Sequence, residues 1–227
     1  MNKAKLFAWL SLIMVTVALV SGFKASWLIY TSAIAALAAL LILSEFDEKS
    51  RDPRTVALTG VLVALGATSR QLLHGIEFSP IFFIVILAGH VFGFTTGFAV
   101  GALTMFVSNF FIGQGPWTAY QMLGMGLLAG FAAYLPRDGS YRMRALTAYS
   151  IVTAFLYGAF TDVFFWLAFI PTHEMESLLA VFAAGLLPAL SRALGNLFFM
   201  SLLGPVLLKV LMRFRKRLTY TYHVKRQ

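Results

Sequence analysis

The sequence predicts an all-α integral membrane protein, and three observations carry that prediction. Of 227 residues, 59% are hydrophobic and 12% charged, with a mean hydropathy of +0.81; that is too little polar surface to cover a soluble globule. The apolar residues fall in long runs rich in Leu, Ala and Phe, and in lipid such runs satisfy their own backbone as helices. The net charge is +9, but the basic residues flank the apolar runs instead of interleaving with stacking aromatics. They therefore read as topology determinants rather than as a nucleic-acid surface. Cysteine is absent, which excludes disulfides and thiolate metal sites.

Taken in order, residues 6–23 and 25–44 are apolar runs of 18 and 20 residues separated by Lys24, each about long enough to span a bilayer. They read as an N-terminal transmembrane hairpin, 1–44. A secretory signal peptide competes for the first run, but no clear small-residue cleavage site separates it from the second. Residues 45–54, EFDEKSRDPR, are polar and mark a cytoplasmic linker. A bundle of six spans is expected over 55–212, at roughly 54–69, 80–93, 94–112, 119–136, 145–170 and 188–212, followed by a basic tail, 213–227. The segment 177–212 as one helix would reach about 50 Å against a hydrocarbon core of about 30 Å. Pro188 suits the first turn of a helix, so the last span is expected to start there, with 174–187 an interfacial helix or lid and Arg192 in the first turn.

With eight spans and the N-terminus inside, fifteen of the eighteen Lys and Arg residues fall on one side. The positive-inside rule then places both termini in the cytoplasm of a multi-pass cell-membrane protein. Lys24, Arg70 and Arg192 are left at or near the outer face.

That face also holds the most distinctive stretch, SNFFIGQGPWTAY from Ser108 to Tyr120. Ser108 and Asn109 end one apolar run, Gly113 and Gly115 free the backbone, Pro116 fixes a turn, and Trp117, Tyr120 and Gln121 open the next helix. A tight interfacial turn with an aromatic belt is the plain reading, and a ligand mouth the functional one. Asp162 and Arg192 lie inside apolar runs, where a charge costs ~2.5–3.5 kcal/mol; they either pair with each other or face a water-filled cavity. His90 lacks a second His at helical spacing and is expected to bond within the protein. Small residues recur at helical spacing at Ala57, Gly60, Ala64 and Ala67, letting another helix approach; Gly93, Gly97 and Gly101, then Gly126 and Gly130, are read as packing inside the bundle.

Motifs for catalysis are missing: there is no G-x-x-x-x-G-K-[ST], G-x-S-x-G or H-E-x-x-H, and no acidic cluster for two metals. The chain cannot bind ATP through a P-loop, and its halves show no convincing inverted repeat. It reads as a capture protein rather than an enzyme, with no resident cofactor or metal.

VALTGVLVALGATSRQL, then AGHVFGFTTGFAVGALTMFVSNFFIGQGPWTAYQMLGMGLLAG, then LSRALGNLFF before a basic tail resemble the S component of an energy-coupling factor (ECF) vitamin transporter, nearest the cobalamin-specific subgroup. The resemblance spans about 55–212. It implies a six-helix membrane subunit that captures a micronutrient outside and works with a transmembrane coupling subunit and two cytoplasmic ATPases. The implied cargo is cobalamin or a related corrinoid, with another vitamin as the alternative. By the same resemblance the substrate site falls on Arg70, Asn109, Gln114, Trp117, Tyr120, Gln121, Asp162, Arg192 and Asn196, and the coupling-subunit contact on Ala57, Gly60, Ala64 and Ala67. A structural or lipid-interaction protein is the rival from another class.

Overall fold

In a computed structural model, residues 53–72, 74–139 and 141–224 are described, and they form seven α-helices with no strand. The expected hairpin 1–44 and the linker as far as 52 lie outside the described residues. The helices are α1 Pro53–Leu72, α2 Ile81–Phe92, α3 Phe94–Ile112, α4 Trp117–Phe131, α5 Tyr141–Phe169, α6 Met175–Leu202 and α7 Gly204–Val224, with 3-10 turns at His74–Ile76 and Ala132–Tyr134. Three of them, α3, α5 and α6, are long and apolar enough to cross a membrane.

The shortest apolar helix is the centre of the fold. IFFIVILAGHVF in α2 is apolar all round, as a helix must be to touch protein on every side, and eleven of its residues are buried. It contacts each of the other six helices. Twelve residues rise only about 18 Å, short of the expected 80–93 span, and complete burial in protein removes the need to match the bilayer. One residue, Gly93, joins α2 to α3; its φ of 99° is open to glycine and strained for any other residue.

The glycine series, Gly93 excepted, packs α3 onto its neighbours, as its spacing predicts. A methyl group on Gly97 or Gly101 would collide with the α4 backbone at Ala129 or Met125, and one on Gly126 or Gly130 would press on Phe98 or Phe94. Tyr149 of α5 completes the seam by donating from its hydroxyl to Leu128 O at 2.6 Å. His90 is buried and bonds through Nδ1 to Ala132 O at 3.3 Å. The acceptor is a carbonyl, so Nδ1 carries the proton.

The expected break at Pro188 is not there. Helix α6 runs unbroken for 28 residues through Pro188, and Arg192 sits in its middle, not in a first turn. Contacts with α5 on both sides of the proline hold the helix: Asp162 lies against Gly185, and Gly158 against Ala189 and Arg192. Tolerance of proline inside a membrane helix rests on such neighbours. The break falls at Leu203, before Gly204 and Pro205, where Leu203 N–H still reaches Phe199 O at 2.9 Å and α7 begins. Two further bounds move: α5 starts at Tyr141, taking in YRMR ahead of the span expected at 145–170, and the basic stretch 213–217 continues α7 as exposed helix.

Candidate functional site

Toward one end of the bundle, the last turn of α1, the α1–α2 connection, the first turn of α2, Met105 of α3, Gln121 of α4 and the middles of α5 and α6 line a cavity of about 90 Å³. Its polar wall is Arg70, Glu77, Ser79, Gln121, Thr161 and Arg192. Phe82, Met105 and Tyr157 form its apolar side. The Phe82 and Tyr157 rings meet edge to face at 5.4 Å, and the Tyr157 hydroxyl donates to Met105 Sδ at 3.8 Å.

Each arginine is held differently. Nη1 of Arg70 donates to Ser108 Oγ and to Asn109 Oδ1, both at 2.7 Å, and Gln71 beside it donates to Ser108 O at 2.8 Å. These partners are neutral, and among the described residues Arg70 makes no ion pair. Arg192, 8% exposed, places Nη1 3.3 Å from Glu77 Oε2 and its guanidinium carbon 5.7 Å from the Tyr157 ring centroid. Its Nε has no hydrogen-bond partner. Glu77 reaches it from a left-handed backbone with φ 55°, a conformation non-glycine residues seldom adopt. The adjoining turn is tied down where the Ser191 hydroxyl donates to Ile76 O.

The SNFFIGQGPWTAY stretch forms the rim behind Arg70. Asn109, 1% exposed, accepts from Arg70 and donates through Nδ2 to Thr118 Oγ1 at 3.0 Å and Gln121 Oε1 at 2.8 Å. Thr118 Oγ1 also accepts from Gly115 N–H at 3.2 Å and donates to Gln114 Oε1 at 2.9 Å. Its donor and both acceptor sites are thereby filled. Gly113, with φ 127°, lets the chain reverse after α3.

Of the residues expected at the site, Arg70, Gln121 and Arg192 line the cavity and Asn109 stands directly behind two of them. Gln114 and Trp117 brace the turn instead: Gln114 donates to Phe106 O at 3.0 Å, and the Trp117 ring lies over Gly115 with Nε1 donating to Gly113 O at 3.2 Å. Tyr120 is buried against Phe164, ring centroids 3.7 Å apart. Asn196 is buried and donates to Ser150 O, leaving Oδ1 without a partner. Asp162 does not pair with Arg192. It faces Gly185 and a separate open groove of about 380 Å³ between α5 and α6, because the antiparallel register sets Arg192 opposite Gly158, one turn away. Glu77, Tyr157 and Thr161 were missed. Glu77 carried a signal, as the acid in the connection that follows Arg70; the other two are ordinary helix residues placed only by packing.

A family model matches residues 49–216, under the description of a family of unknown function, DUF6580. The chain belongs to the DUF6580 family. The match takes in the whole cavity wall and all seven helices as far as Lys216. Neither the curated proteins nor the solved structures contain a match. Among the described residues no three His, Asp or Glu side chains gather to hold a metal ion.

Proposed function

We propose that this chain is the membrane-embedded capture subunit of an ECF-type importer, which binds a micronutrient from outside and passes it inward with a coupling subunit and two ATPases. The observation that carries the reading is the SNFFIGQGPWT block. The sequence most specific to the resemblance folds into the hydrogen-bonded rim of a polar cavity. Arg70 and Arg192 lie at that end, while Arg54, at the other end of α1, and the basic residues near the α4–α5 loop and in α7 lie at the opposite one. This polarity supports an outward-facing mouth.

Ala57, Gly60 and Ala64 lie exposed along one face of α1, and nothing approaches within 4 Å of a methyl placed on Gly60. That open face suits close docking of a coupling helix; Ala67, 3% exposed, packs inward. Of the two cargo readings, a corrinoid or a smaller vitamin, the cavity favours the smaller. Pockets for drug-sized ligands run to ~300–1,000 Å³, so a corrinoid needs the connections around the mouth to swing apart.

Reconstitution tests the reading. Uptake into vesicles is expected only when the coupling and ATPase subunits and ATP are all present. Accumulation against a gradient by this chain alone would reject it.

A further inference from the structure

We infer that the cavity between α1, α5 and α6 is a site for a small carboxylate with a flat apolar body, the acid group held between Arg70 and Arg192. The inference rests on the capture reading and names the chemical class of its cargo.

Charge makes the first argument. Two guanidinium groups face one cavity, and Glu77 is the acid in its wall. Arg70 is held by neutral oxygens alone, so the wall keeps one net positive charge at a partly buried position, where an unneutralised charge costs more than in water. The second argument is the vacant donor. Arg192 is more than nine-tenths buried, yet its Nε, itself closed to solvent, has no hydrogen-bond partner; a turn of the guanidinium toward the cavity would offer that N–H with a neighbouring one to the two oxygens of a carboxylate side by side.

Shape and polarity make the third. Phe82, Met105 and Tyr157 share the cavity wall with the arginines, Tyr157 directly beneath Arg192, giving an apolar surface for the rest of the ligand, and about 90 Å³ admits a compact molecule. A phosphate dianion fits less well, because it would carry a second negative charge toward Glu77 and offer nothing to the aromatic side. The rim fixes Arg70 in advance through Ser108 and Asn109, so little side-chain freedom is lost when the ligand arrives.

The test is calorimetric titration of the purified full-length chain with nicotinate, benzoate and butyrate, each against its own amide, and with inorganic phosphate. At least one acid is expected to bind saturably, with its amide at least ~10-fold weaker, since a charge-assisted pair is worth more than a neutral one. Arg70→Gln and Arg192→Gln should each weaken the acid by ~10-fold or more. Glu77→Gln should move affinity the other way, tightening the acid several-fold by removing a competing carboxylate. A merely structural Arg192–Glu77 pair predicts no such gain, so this variant keeps the test decisive if Arg192→Gln fails to fold. Binding by none of the acids, equal binding of acid and amide, preference for phosphate, or a loss on Glu77→Gln would each overturn the inference. Co-purification with the coupling and ATPase subunits, read on the same preparations, separates the two proposals. No acid binding with the complex intact rejects the cargo class alone; acid binding with no complex rejects the importer reading alone.

Discussion

Asn109 is the residue through which the rim and the cavity communicate. It accepts from Arg70 and donates to Thr118 and Gln121, and with 1% exposure no water replaces a lost partner. Asn109→Leu should lower stability by about 1–3 kcal/mol, the cost of leaving buried groups unsatisfied, measurable as a fall in melting temperature in detergent. Asn109→Asp separates stability from binding. It sets a carboxylate against Arg70, so the chain should fold while anion affinity drops by ~10-fold or more as the internal charge competes. At this scale the sequence was informative where chemistry is concentrated. Arg70, Asn109, Gln121 and Arg192 stand out as polar groups at the ends of, or inside, apolar runs. Gln114 and Trp117 have the same appearance, yet they hold the turn together, because a short loop must first satisfy its own backbone and side-chain donors.

Helix α6 shows how an element can defy its local signal. Pro188 is a helix starter by propensity and an interior residue by observation, since the contacts of α5 with Gly185, Ala189 and Arg192 outweigh the missing hydrogen bond. Pro188→Ala should therefore leave the fold intact and raise the melting temperature, as it restores an N–H and removes an intrinsic penalty of up to ~3 kcal/mol. A loss of stability would instead mark Pro188 as a true helix start. The α3–α4 seam gives the opposite expectation. Gly101→Leu drives a side chain into the Met125 carbonyl and should cost about 1–3 kcal/mol or prevent folding, seen as aggregation on size exclusion. The spacing of Gly97 and Gly101 was legible because close helix packing requires small residues at that period, whereas Gly93, expected in the same series, has nothing within 4 Å of an added methyl and serves the turn between α2 and α3 instead. The break at Gly204 and Pro205 was equally legible in residue type, but a single proline nearer the middle of a long run drew the expected boundary away from it.

The described residues form a bundle around α2, with its polar interior at one end and its exposed small-residue face along α1. Gly60→Leu should leave the stability within about 0.5 kcal/mol of the wild type, since nothing lies near that position and surface changes are usually this small. The same change should abolish co-purification with a coupling subunit. If the complex survives the bulky side chain, the α1 face is not the docking surface. Composition alone decided that the described chain is helical and has runs suited to lipid, because a backbone with few polar side chains must satisfy itself within each segment. The flanking arginines and lysines decided which end of the bundle is basic. Only the tertiary structure decided that the 12-residue α2 lies at the centre, that Arg192 pairs with Glu77 rather than Asp162, and that Tyr157 and Thr161 complete the cavity. Those outcomes depend on helix register, and a register is set by the sum of many packing contacts rather than by any residue's own preference.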